Sequence, residues 1–94
     1  MLEKKIESIV KEYAKSKNWL AYKWTSPGHA FVPDGLFISP TGRVICMEFK
    51  QLGKKATPGQ QREIDRLNQH HVLAVVVDSV EQGKGLINAY SSCL

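Results

Sequence analysis

Glu48 and Lys50 interrupt an apolar run, and their spacing suggests chemistry. In Val44-Ile45-Cys46-Met47-Glu48-Phe49-Lys50 the residues read as a buried β-strand. Strand side chains alternate faces, so Glu48 and Lys50 share one face while Met47 and Phe49 take the other. An ionised group beside a core is costly unless it is paired or bound to a cation. Asp34 follows Pro33 at the start of the preceding strand. If that strand pairs across Pro40-Thr41-Gly42 with Ile38 opposite Val44, Asp34 comes to lie opposite Glu48. Two carboxylates at one point repel unless a cation sits between them, and oxygen ligands suit Mg²⁺. The Phe49 main-chain carbonyl could supply a further ligand. The plain alternative is an ion pair between Glu48 and Lys50 at a solvated strand end.

The chemistry open to such a cluster is metal-assisted hydrolysis of a phosphodiester. Mg²⁺ polarises a phosphodiester oxygen and lowers the pKa of a bound water. Lys50 can orient the attacking water and neutralise charge developing on the phosphate. Asp34 and Glu48 hold the metal.

The flanking elements must position these residues. Leu2, Ile6, Ile9, Val10 and Tyr13 recur at helical spacing, which predicts an amphipathic first helix ending near Lys17. Glu7 flanks the stripe, in line with Val10 and Ala14, and is expected near the sheet. Trp19 to Trp24 reads as a strand, Thr25-Ser26-Pro27-Gly28 as a loop, and Asp34 to Ser39 and Arg43 to Lys50 as an antiparallel hairpin. The hairpin's second strand is apolar on both faces and should be central. Thr57-Pro58-Gly59-Gln60 is a capping box with proline at the first helical position. The helix that follows should bury Ile64 and Leu67 and end near His70. Val72 to Val77 reads as a buried strand, and Ser79 caps a short last helix weakened by Gly83 and Gly85. The order is α-β-β-β-α-β-α, an α/β fold with a mixed central sheet flanked by helices.

With 94 residues, one domain spanning residues 1–94 is expected. A composition of 43% hydrophobic and 23% charged residues excludes a disordered chain. No apolar run approaches the roughly 20 residues that span a bilayer, and the N-terminus lacks a signal-peptide core, so a cytoplasmic protein is expected. Cys46 and Cys93 are too few for a disulfide framework and lie in no Cys-x-x-Cys pair. The adjacent His70 and His71 point in different directions and read as a solvated helix end. The net charge of +4 is compatible with nucleic acid without requiring it. The basic cluster Lys50, Lys54, Lys55 and Arg62 gains meaning because it surrounds the candidate chemistry.

Pro33-Asp34 and Glu48-Phe49-Lys50 resemble the PD-(D/E)XK nuclease signature. The wider pattern, from Tyr22-Lys23-Trp24-Thr25-Ser26-Pro27-Gly28 through Val32-Pro33-Asp34 to Thr57-Pro58-Gly59-Gln60, resembles the VRR-NUC branch of that superfamily. The likeness spans about Ile6 to Val80 and is closest to the stand-alone, phage-type members. It implies a restriction-endonuclease-like αβββαβ core and Mg²⁺-dependent DNA endonuclease activity, with Mn²⁺ able to substitute. By position, Asp34 and Glu48 become metal ligands and Lys50 the catalytic lysine. Glu7 becomes the helix-1 acid that completes the site directly or through water, and Gln60 the glutamine near it. Two plainer readings stay open: Gln60 as a capping-box residue, and Glu7 as a solvated helix residue with Glu3 as its competitor. Arginines common in the family after Pro-Asp and in the preceding loop are replaced here by Gly35 and His29-Ala30-Phe31. His29 is read as a plain loop residue. The resemblance further implies a homodimer acting on branched DNA, a four-way junction above all. A non-catalytic nucleic-acid-binding module on the same fold is the alternative.

Overall fold

A computed structural model describes residues 1–91 of the chain; Cys93 lies outside the described residues. Helix α1 spans Glu3–Ser16, strand β1 Leu20–Lys23, β2 Gly35–Ile38, β3 Val44–Phe49, helix α2 Pro58–Gln69, β4 Leu73–Val77 and α3 Val80–Ser91. This is the expected order. The four strands form one sheet in the order β1-β2-β3-β4. The β1–β2 and β2–β3 pairs are antiparallel and β3–β4 is parallel. Strand β3 is therefore internal, as its apolar faces require, with five of its six residues buried.

The alternation of side chains divides the core in two. Odd-numbered residues Phe37, Ile45, Met47, Phe49 and Val77 face α1 and α3, where Ile6, Val10 and Ile87 cover them. Even-numbered Cys46 and Ala74, with Leu36 and Val76, face α2 and pack on Ile64 and Leu67. Phe37 and Phe49 meet edge to face at 6.2 Å between centroids, a favourable aromatic geometry.

Helix α1 buries Ile6, Val10 and Ala14, so its stripe is narrower than the sequence suggested. Leu2 stands at the N-cap and is exposed. The capping box of α2 forms fully: Thr57 Oγ1 accepts from Gln60 N–H at 3.3 Å, and Gln60 Oε1 accepts from Thr57 N–H at 2.9 Å. Ser79 Oγ caps α3 by accepting from Gln82 N–H at 3.1 Å. Helix α3 runs to twelve residues despite its two glycines, longer than propensity suggested. The reason is tertiary: a Cβ on Gly83 would lie 2.5 Å from Val10 Cγ2, so this glycine lets α3 close onto α1. His70 and His71 end α2 exposed. His70 Nδ1 lies 2.8 Å from the Arg66 carbonyl, and His71 adopts a left-handed φ of 66°, as fits a helix terminus. Among the described residues no helix is long and apolar enough to cross a membrane.

Candidate active site

The hairpin register decides what meets at the end of the sheet. Ile38 pairs with Val44 and Gly35 with Met47, and one further step brings Asp34 opposite Glu48. Asp34 Oδ2 accepts a hydrogen bond from the Phe49 main-chain N–H at 2.9 Å. The Trp24 N–H donates to the Asp34 carbonyl at 2.9 Å, so this residue is held by both neighbouring strands. Pro33 is fully buried beside it, which fixes where the chain enters β2.

Glu48 is only 4% exposed. Gln60 Nε2 donates to its Oε2 at 3.3 Å, and Lys50 Nζ stands 3.9 Å from the same oxygen. Gln60 thus completes the capping box with its oxygen and reaches Glu48 with its nitrogen. The capping-box reading of this residue is fulfilled, and the same side chain also touches Glu48. Burial, then the charge and hydrogen bond of Asp34, push the Glu48 carboxyl up to about 8; Lys50 pulls it down, and Glu3 adds to the rise. Lys50 and Glu48 thus form the ion pair of the plain alternative, but with Glu48 buried rather than at a solvated strand end.

A cleft of about 230 Å³ opens over these groups, lined by Glu3, Lys4, Glu7, Lys23, Asp34, Glu48, Lys50 and Gln60. A larger groove of about 330 Å³, lined by Gly42, Arg43, Val44, His71 and Tyr90 among others, has no carboxylate on its walls. All five candidate side chains (Asp34, Glu48, Lys50, Glu7 and Gln60) line the first cleft. The Phe49 side chain points into the core, leaving only its main chain at the site. Glu7 is engaged by Lys11 at 2.8 Å, and among the described residues no three His, Cys, Asp or Glu side chains converge as a metal cluster. The convergent donors are the Asp34 and Glu48 pair. Two hard carboxylate oxygens, one buried and hard to ionise, suit a divalent cation that takes oxygen ligands. Cys46, whose thiol burial pushes up to about 11, faces α2 in the core and takes no part.

The chain is 39% identical over 77 residues to a protein of Acyrthosiphon pisum secondary endosymbiont phage 1 named "Putative nuclease p44", covering 82% of this chain and 83% of that one. A solved structure described as a VRR_NUC domain superposes with a TM-score of 0.86 at 30% identity, covering 94% of this chain and 96% of the other. The chain belongs to the VRR-NUC family. A second solved structure, a VRR_NUC domain protein, matches at TM-score 0.75 and 19% identity over 96% of this chain and 88% of its own, which adds support for the fold alone. No protein-family model matches the sequence. The four-stranded mixed sheet with its three helices is the restriction-endonuclease-like architecture of VRR-NUC proteins.

Residues of this VRR-NUC chain that the sequence did not single out also border the site. Lys23 ends β1 and pairs with Gly35, one residue from Asp34, and it reaches the cleft at the end of the sheet. Lys4 lies one turn from Glu7 on α1. Outside that cleft, His29, read as a plain loop residue, has Nε2 2.9 Å from Glu63 Oε1, and Glu63 is itself buried. A carboxylate on the buried side of α2, one position before Ile64, was the available signal.

Proposed function

We propose that this chain is a Mg²⁺-dependent DNA endonuclease, a single nuclease domain acting as a homodimer on branched DNA, with four-way junctions as its preferred substrate. The observation that carries the reading is the Asp34–Glu48 pair, held in register across a hairpin with Lys50 beside it and Glu48 too buried to ionise easily. Membership of VRR-NUC, and the nuclease name of the phage relative, support the hydrolytic part.

Asp34 and Glu48 would hold the cation, with Glu7 acting through water and the Phe49 carbonyl as a further oxygen. Bound there, Mg²⁺ (or Mn²⁺) supplies Lewis-acid polarisation of the phosphodiester and a more acidic water. The protein's own groups do the rest. The Phe49 amide fixes the Asp34 carboxylate, and the Gln60 amide fixes that of Glu48, so both are oriented before substrate arrives. Lys50, on the same face as Glu48, positions the attacking water and offsets negative charge on the phosphate. Lys4, Lys23, Lys54 and Lys55 surround the cleft and the adjoining loop, where they attract the DNA backbone.

Support for self-association comes from the sheet. On the α2 side, Leu20, Tyr22 and Val44 are 51%, 52% and 37% exposed. The register places them around Leu36 and Ile38. Helix α2 packs on β4 and leaves this end of the face uncovered.

The test is a Mg²⁺ titration over labelled linear duplex, flap, splayed-arm and four-way junction DNAs. Metal-dependent incision, strongest on the branched DNAs, is expected. Binding with no incision at any metal concentration would make the chain a binding module instead.

A further inference from the structure

Residues 25–33 form a loop between β1 and β2 that is anchored at several points. Its ends are joined by the Trp24–Asp34 main-chain hydrogen bond, and the His29 N–H donates to Ser26 O at 3.0 Å. The His29 ring is held by Glu63 of α2. Phe31 sits in the left-handed region at φ 70°, a conformation that residues other than glycine rarely adopt. Its ring rests on Gly59: a Cβ there would lie 2.7, 2.8 and 2.9 Å from three ring atoms. Only glycine leaves room for the ring.

This arrangement holds an aromatic side chain in place without burying it, since Phe31 is 54% exposed. A ring serving only to staple the loop would be expected to turn more of its surface inward. Phe31 shares a groove of about 380 Å³ with Arg62 and Arg66, two cations of α2. Gly59, under the ring, directly precedes Gln60, which touches Glu48. The fixed ring, Arg62 and the carboxylate pair therefore lie toward the N-terminal end of α2, with Arg66, 3.9 Å from Glu63, a turn further along the same groove.

We infer that Phe31 is a stacking platform for an unpaired nucleobase beside the scissile phosphate, with Arg62 and Arg66 taking the neighbouring phosphates. The inference rests on the nuclease reading and narrows it. Bases inside a duplex have both faces occupied by their neighbours, whereas an unpaired base has a free face for an aromatic ring. The platform therefore favours a base freed at the branch point, unpaired in a splayed arm and unstacked from its neighbour where the strands of a four-way junction part. Guanidinium groups match phosphate geometry and hold the strand while the ring takes the base.

The experiment pairs protein variants with abasic DNA. Fluorescein-labelled splayed-arm DNA is first cut with the wild-type protein and Mg²⁺ to map the incision. Binding is then measured in EDTA with the nucleotides flanking the cut either intact or made abasic, one at a time. At one position, removing the base should weaken wild-type binding about tenfold, within the range of base–aromatic stacking. Phe31→Leu should bind the intact and abasic DNAs alike, and Phe31→Tyr should restore the difference. Gly59→Ala, whose methyl displaces the ring without altering Phe31, should behave as Phe31→Leu while melting no lower than wild type. Circular dichroism checks each fold, and Gly59→Ala with Phe31→Tyr carries the test if Phe31→Leu unfolds. If wild type cuts the DNA but no abasic position matters, or Phe31→Leu discriminates as wild type does, stacking is wrong and the nuclease reading stands. If wild type never cuts with Mg²⁺, both fall.

Discussion

Asp34 and Phe49 are joined by a 2.9 Å hydrogen bond from the Phe49 N–H to Asp34 Oδ2, which locks one carboxylate to the strand that carries the other. The bond leaves Asp34 no easy way to turn away from Glu48. The repulsion and burial recorded in the raised Glu48 pKa are thus built into the hairpin.

Relieving that tension should cost function and spare the fold. Asp34→Asn and Glu48→Gln are each expected to abolish Mg²⁺-dependent cleavage. At pH 9 without metal, both should melt above wild type, by about 4–8 °C for each kcal/mol of repulsion and desolvation relieved. Cleavage assays and thermal melts check the two halves separately. Full activity in either variant would remove these residues from the site.

The pH dependence of stability has a definite sign. Burial and Asp34 push the Glu48 carboxyl up to about 8 in the folded protein, from an ordinary value of 4.5. The folded state therefore holds its proton more tightly than the unfolded state does. The resulting stability is full below about 4.5 and is lost as pH rises through 8. Metal-free wild type should melt progressively lower from pH 5 to pH 9, and Glu48→Gln should flatten that slope. Binding of Mg²⁺ should release protons and tighten over the same range, which calorimetry in two buffers of different ionisation enthalpy would measure.

Lys50 stands 3.9 Å from Glu48 Oε2, close enough to share the site but not to be consumed by it. Lys50→Ala should slow cleavage about 10²–10³-fold, the scale of losing one transition-state charge donor. Mg²⁺ affinity by calorimetry should change little. A large loss of metal affinity with the rate restored at saturating metal would make Lys50 a structural partner of Glu48 instead.

Periodicity and turn chemistry read most of this chain correctly, because its local signals agree with its tertiary contacts. The Thr57 capping box and the internal position of β3 follow from short-range rules that the packing does not override, and the Ile38–Val44 register, assumed from the sequence, is the one the hairpin adopts. From that register the carboxylate pair was legible too. Other features depend on distant contacts. The length of α3 is set by Gly83 meeting Val10, and helix propensity alone cannot anticipate that. The Glu63–His29 pair and the seat of Phe31 on Gly59 join a loop to a helix some thirty residues away. Glu7, expected to complete the metal site directly or through water, lines the cleft and is also paired with Lys11, an i,i+4 partner that the sequence already offered.

Oligomeric state is the prediction with the widest consequence. One small domain carries a single carboxylate pair, and it covers only a limited stretch of DNA. Two copies about a two-fold axis present two sites in symmetric orientation, matching the two-fold symmetry of a four-way junction. Two stretches compete as the contact surface: β1 and the Ala89-Tyr90 end of α3. In the structure the Tyr90 ring lies under the Arg43 guanidinium, 5.4 Å from its centroid. Leu20, Tyr22 and Val44, by contrast, form an open apolar face on the sheet, which makes β1 the better interface. Light scattering at micromolar concentration should give the mass of a dimer. Tyr22→Asp should shift it to a monomer, since a charge buried in an apolar interface is costly. That variant should lose paired incision of a four-way junction while still nicking a splayed-arm DNA, because each carboxylate pair lies within one chain. A wild-type monomer, or equal cutting of a junction and a linear duplex of the same sequence, would leave a nuclease without the resolvase-like symmetry.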